Sequence, residues 1–219
     1  LVRVLGPSRT ESVIQDMDPP AGESYLAAAR SAEGEDAIED PPFAMHLKRS
    51  EYKQKFGVRA PLDLAIESRL RAAGTLDDLD LAATLESAVN GTSLMLMLDI
   101  GKARLLLPGD AQWGTWQAAL EDPEWKPLFA GADFYKIGHH GSHNATPIRF
   151  VRDHLKTGVS AMASVRPTAK WKNIPRVPLL TALADKHAVV ARSDQPTKAP
   201  APRFRRAADD AWVETAIPI

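Results

Sequence analysis

Apolar and polar positions alternate from the first residue, where Leu1-Val2-Arg3-Val4-Leu5 reads as a strand closed by Gly6-Pro7. Between Thr10 and Pro42 the periodicity is lost. Asp, Glu, Ser, Pro and Ala dominate there, and an acidic run from Gly34 ends in Pro41-Pro42, which predicts a mobile loop. A helical period then runs from Ala44 to about Ala88: Leu62, Ile66 and Leu70 share one face, and Asp77-Asp78-Leu79-Asp80 caps a second stretch through Leu81 and Leu85. Residues 10–88 thus read as an acidic loop and helical insertion within a domain formed by residues 1–9 and 89–219.

Beyond the insertion, Ser93 to Leu98 and Ala103 to Leu107 are two apolar strands joined by a turn at Asp99 to Lys102, the pattern of a hairpin. Helix and strand signals then alternate. A helix is predicted over Trp113 to Leu120, a strand over Phe134 to Gly138, a helix over Pro147 to Leu155 and a strand over Val159 to Val165. Leu179 to Lys186 reads as a helix, His187 to Arg192 as a strand, and Phe204 and Trp212-Val213 as short final strands. Without internal repeats, this order predicts an α/β layered fold.

Composition adds constraints. With 219 residues, 44% of them apolar, the chain can bury a sizeable core, and a net charge of -1 gives no bulk attraction to nucleic acid or anionic lipid. The absence of cysteine excludes disulfides and thiolate ligands, so any metal must be held by His, Asp or Glu. No apolar run approaches the roughly 20 residues of a membrane span, and the chain reads as a soluble domain, cytoplasmic by default. It opens on Leu1 within a strand pattern, and further residues are expected upstream.

The strongest chemical signal is Tyr135-Lys136-Ile137-Gly138-His139-His140-Gly141-Ser142-His143, which gathers three of the chain's six histidines directly after a strand. The strand before it ends in Pro108-Gly109-Asp110, so an acid and a histidine cluster each follow an apolar strand, an arrangement suited to a metal site. Each residue also has a plainer role as turn or loop chemistry. Trp113, Trp116 and Trp125 follow Asp110; core packing explains them better than base stacking. Lys170, Lys172 and Arg176, around Trp171, form the best local candidate for contact with an anionic substrate. His154 and His187 read as structural.

Three motifs carry a family resemblance: Asn90-Gly91-Thr92-Ser93-Leu94, Leu107-Pro108-Gly109-Asp110-Ala111-Gln112, and Lys136-Ile137-Gly138-His139-His140-Gly141-Ser142. In order and spacing they resemble the second half of metallo-β-lactamase-fold hydrolases, in particular the ComEC-like hydrolase domains of bacterial DNA-uptake competence proteins. The resemblance implies one half of a four-layer αββα sandwich whose edge loops bind one or two metal ions. It implies Asp110 as a bridging carboxylate and either His139 or His140 as a ligand. His139 is favoured because it follows the strand at once, and His140 then faces the substrate or assists catalysis. Asn90, Ser93, Lys136, Gly141 and Ser142 take supporting or substrate-contact roles; His143 lies beyond the shared pattern.

The sequence departs from that family in one respect: the His-x-His-x-Asp-His loop that supplies the remaining ligands is missing, and His46 is the only histidine upstream of the cluster. Two ligands make a poor zinc site, because catalytic zinc usually takes three protein ligands and a water. The expectation is therefore a metal-dependent hydrolase of esters or phosphodiesters, incomplete in this chain, as the carboxyl-terminal piece of a longer protein. Zinc is the expected metal, with Mn or Fe as alternatives, and the substrate is a small molecule, a phosphodiester or nucleic acid. The competing reading is a scaffold or subunit that keeps the fold without the chemistry.

Overall fold

Strands β1 (Val2–Gly6), β2 (Met95–Ile100), β3 (Ala103–Leu107), β4 (Phe134–Lys136), β5 (Ser160–Ala163) and β6 (Val189–Arg192) form one six-stranded sheet in sequence order. The computed structural model describes residues 1–20, 22–25, 89–166, 173–195, 203–207 and 212–219. The helical insertion expected from Ala44 to Ala88 lies outside the described residues, as do Lys170, Trp171 and Lys172. The fold is mixed α/β, as the alternating signals predict.

The first three strands are antiparallel and the last four parallel, so β3 belongs to both regimes. The reason lies in the connections. β2 and β3 are joined by a tight turn with Gly101 at φ 60°, whereas each later strand is separated from the next by helical segments long enough to return the chain to the same edge. Helix α2 (Trp113–Glu121) fills the β3–β4 connection together with a five-residue helix, α3 (Lys126–Ala130). The sequence pattern signals only the first of these, because five residues are too few to display a period. In the β4–β5 connection the expected helix narrows to a π turn at Phe150–His154, and α4 (Val177–Asp185) precedes β6. A separate hairpin pairs β7 (Phe204–Arg206) with β8 (Val213–Thr215).

The two faces of the sheet differ. Met95, Met97, Leu106, Tyr135 and Ala161 point to one side and are fully enclosed with Trp116, Phe129, Phe150, Leu179 and Leu183. Fully burying each large apolar side chain contributes about 1.5–3 kcal/mol, so this face supplies most of the drive to fold. Trp116 sits at its centre, 4.7 Å from Phe150 ring to ring. Trp113 is buried as well, with the Arg149 guanidinium over its ring. Both tryptophans therefore serve packing.

Val2, Val4, Leu96, Leu98, Leu105 and Leu107 occupy the opposite face, by the strand register and the two-residue side-chain period. The four leucines are only half-buried, and Val2 and Val4 are 61% and 57% exposed. Part of the stretch read as loop is also ordered into helix α1 (Glu11–Gln15), after which the Asp16 carbonyl accepts a 2.7 Å bond from the Gly114 N–H at the start of α2.

Candidate metal centre

β3 and β4 are adjacent and parallel, so Asp110 and His139, each following its strand, arrive at the same edge of the sheet. The loops also touch, because His139 N–H donates to the Gly109 carbonyl at 3.2 Å. Gly138 permits this closeness: a Cβ there would stand 2.9 Å from Gly109 O and 3.1 Å from Pro108 Cγ. The close approach thus depends on a residue that the sequence motif already contains.

The histidine run does not continue the strand. Three successive residues take left-handed backbone angles, His139 at φ 39°, His140 at 56° and Gly141 at 81°. Two i→i+3 bonds close the turn, Gly141 N–H to Gly138 O at 2.8 Å and Ser142 N–H to His139 O at 2.9 Å. Left-handed angles cost a residue with a Cβ about 1–2 kcal/mol each, and such strain concentrates at functional sites. Gly141 has a second reason to lack a side chain, since a Cβ would lie 2.7 Å from Pro175 Cβ.

The turn sets the two rings apart in role. Ser142 Oγ lies 3.0 Å from His139 Nδ1 and gives its one proton to Asn144 Oδ1 at 2.7 Å. The Ser142 oxygen is then an acceptor for Nδ1–H, which leaves the His139 Nε2 lone pair free as a metal ligand or proton acceptor. Burial pushes the His139 pKa down, opposed by the Asp110 charge and by Asn144, so the neutral ligating form is favoured. His140, the candidate catalytic group, is exposed and donates from Nδ1 to the Ser164 carbonyl at 2.6 Å. Its Nε2 is also free, and its ring lies 6.1 Å from that of His139.

Lys136 lies on the half-covered face, beside Leu107 in register, and its Nζ donates to Ile137 O at 3.3 Å. Burial lowers its pKa, and the charge of Asp110 opposes that shift. Asp110 thus acts electrostatically on both Lys136 and His139, although no hydrogen bond or salt bridge closes on it among the described residues. Ser93 reaches the same edge: its Cβ is 3.5 Å from where a Gly109 side chain would begin. Asn90 serves a turn, its carbonyl accepting from Ser93 N–H at 3.0 Å, with no side-chain bond to the centre.

The candidate residues Asp110, His139, His140, Lys136, Gly141, Ser142 and Ser93 therefore share one edge. Among the described residues no group of three or more His, Asp or Glu is placed to hold a metal ion. Asp110 and His139 fit as two donors of a coordination sphere and do not complete one.

The motif reading overlooks Asn144, which receives the Ser142 proton, and Asp18, whose Oδ1 lies 3.5 Å from His143 Nε2. Asn144 could have been sought in the polar run after Ser142, but nothing local marks Asp18 in its acidic segment. His154 and His187 precede β5 and β6, at the opposite end of the parallel strands from the centre. No family model, curated protein or solved structure matches this chain.

Proposed function

We propose that this chain contributes half of the metal centre of a hydrolase acting on ester or phosphodiester substrates. Asp110 and His139 are its ligands, with Ser142 holding His139 in the ligating tautomer. The observation that carries the proposal is the convergence of Asp110 and His139 on adjacent strand ends, with His139 Nδ1 occupied and Nε2 free. The preferred metal is one or two zinc ions; Mn and Fe suit the same oxygen and imidazole donors. When bound, the metal supplies Lewis acidity and makes a coordinated water more acidic. The remaining ligands come from outside the described residues, and no catalytic step follows from these two alone.

The unequal faces of the sheet support the αββα sandwich of the metallo-β-lactamase family. A sheet with helices on one side and Val2, Val4 and the paired leucines half-covered on the other suits a second sheet against that face. The same open face supports a second reading, a non-catalytic scaffold or subunit. Such a scaffold has no use for Asp110 and His139 as ligands. Titration of the full chain with Co(II), followed through its visible d–d bands, separates the two. The hydrolase reading predicts weak, saturable binding that Asp110→Ala and His139→Ala each weaken about 100-fold. Binding that survives both changes refutes the assignment. No helix of the described residues is long and apolar enough to cross a membrane.

A further inference from the structure

Arg176 lies against the histidine turn from a different part of the chain. Its backbone N–H donates to the Gly141 carbonyl at 3.0 Å, and the preceding Pro175 fills the space that a Gly141 side chain would need. Its Nε is enclosed by protein with no hydrogen-bond partner, and no carboxylate among the described residues pairs with its guanidinium. Arg149 also has enclosed nitrogens, but it faces Glu23 and Glu121 and lies over Trp113. Among the described residues Arg176 has no such counterpart.

His143 follows in the same loop as His139, its ring lies within electrostatic reach of Asp18, Arg176 and His139, and its Nε2 is 3.5 Å from Asp18 Oδ1. The Ser24 hydroxyl donates to the His143 carbonyl at 3.3 Å, which fixes this part of the loop. A guanidinium with no acceptor for its Nε among the described residues therefore lies within electrostatic reach of a tethered imidazole in the loop that carries His139. A planar guanidinium with free donors is suited to the oxygens of an anion.

We infer that Arg176, with His143 beside it, binds the phosphoryl oxyanion of the substrate and presents it to the Asp110–His139 centre. The inference rests on the metal-centre reading for the word substrate and on nothing in that reading for the anion site. It makes Arg176 a specificity residue: neutral esters lose its contact, and phosphodiesters gain it.

The test is a titration of the full chain, without metal, with inorganic phosphate and separately with acetate, followed by long-range 1H–15N spectra of the histidine rings. Phosphate is expected to shift the His143 and His139 signals saturably, more tightly than acetate. Arg176→Gln should weaken phosphate binding at least ~5-fold through loss of a charge-assisted pair. If Arg176→Gln does not fold, Arg176→Lys serves instead, since a point charge cannot reproduce the fork; a partial loss supports the assignment and wild-type affinity overturns it. Absence of any saturable shift, or equal affinity in Arg176→Gln, also overturns it. Acetate binding as tightly as phosphate overturns the phosphoryl assignment. A Co(II) titration of the same samples keeps the two claims apart: metal without phosphate sinks only the anion site, and phosphate without metal sinks only the metal centre.

Discussion

The two ends of the same sheet handle charge in opposite ways. At the end where β3 begins, Asp99 is gripped by Arg104 Nε at 2.7 Å and Arg3 Nε at 3.2 Å. Asp133 accepts from the Arg104 backbone at 3.0 Å and from Lys156. Asp99 and Asp133 there each have partners of opposite sign, and the hydrogen bond from Arg104 is the chief cause that lowers the Asp99 pKa. At the end where β3 and β4 finish, Asp110 has no such partner among the described residues, His139 and Lys136 are pushed toward their neutral forms by burial, and the backbone of the histidine turn is strained. The first end pairs its charges, as suits stability; the second leaves them unpaired, as the proposed ligand site requires.

The contrast is testable by substitution. The largest effect is expected at the ligand end: Asp110→Ala or His139→Ala should weaken metal binding about 100-fold, roughly 2.8 kcal/mol. Asp110→Ala should leave the thermal midpoint unchanged, because its carboxylate closes no hydrogen bond or salt bridge among the described residues, whereas His139→Ala also removes the bond to Ser142 and should cost about 1 kcal/mol of stability. Gly141→Ala should cost about 2 kcal/mol in denaturant titration, since it adds a Cβ at φ 81° and against Pro175. If Gly141→Ala is neutral, the turn carries no strain.

Ser142→Ala should weaken metal affinity about tenfold by freeing the tautomer of the ligand, and should cost about 1 kcal/mol of stability because Asn144 Oδ1 loses its donor. Asp99→Ala, at the other end, should cost about 1 kcal/mol of stability and leave metal binding untouched. A metal effect at Asp99 would erase the distinction between the two ends.

The smallest effect is on pH dependence. Burial lowers the folded pKa of His139 and of His143 below the unfolded value of about 6.5. The unfolded chain then takes up protons first, so their contribution is full above that value and is lost as pH falls through the folded pKa. The denaturation midpoint should decline from pH 7 to pH 5, and the double change His139→Gln with His143→Gln should flatten that decline. A slope unchanged in the double variant would locate the titration elsewhere.

Much of this contrast is legible in the sequence, for reasons of period and punctuation. Met95-Leu96-Met97-Leu98 reads as a strand because it is an apolar run between turn signals, which does not tell the sealed face from the half-open one, and Pro108-Gly109-Asp110 and Gly138-His139-His140 mark where adjacent strands end. Those marks suffice to name Asp110, His139 and Lys136. The sequence is silent where partners come from far along the chain: Asp18 on His143, Arg176 on Gly141, and Asp99 between Arg3 and Arg104. The left-handed turn is equally hidden, because only Gly141 of its three residues advertises a positive φ. Helix α1 escapes notice because Glu11–Gln15 buries no residue fully and so leaves no apolar stripe.

The most direct test of the central claim is the state of the His139 ring in the full chain during a zinc titration, read from its two 15N signals. The account predicts that Nε2 moves as metal binds while Nδ1 stays protonated against Ser142, and that Asp110→Ala removes the shift. Metal appearing at His140 alone, or a His139 ring indifferent to saturating zinc, would contradict it.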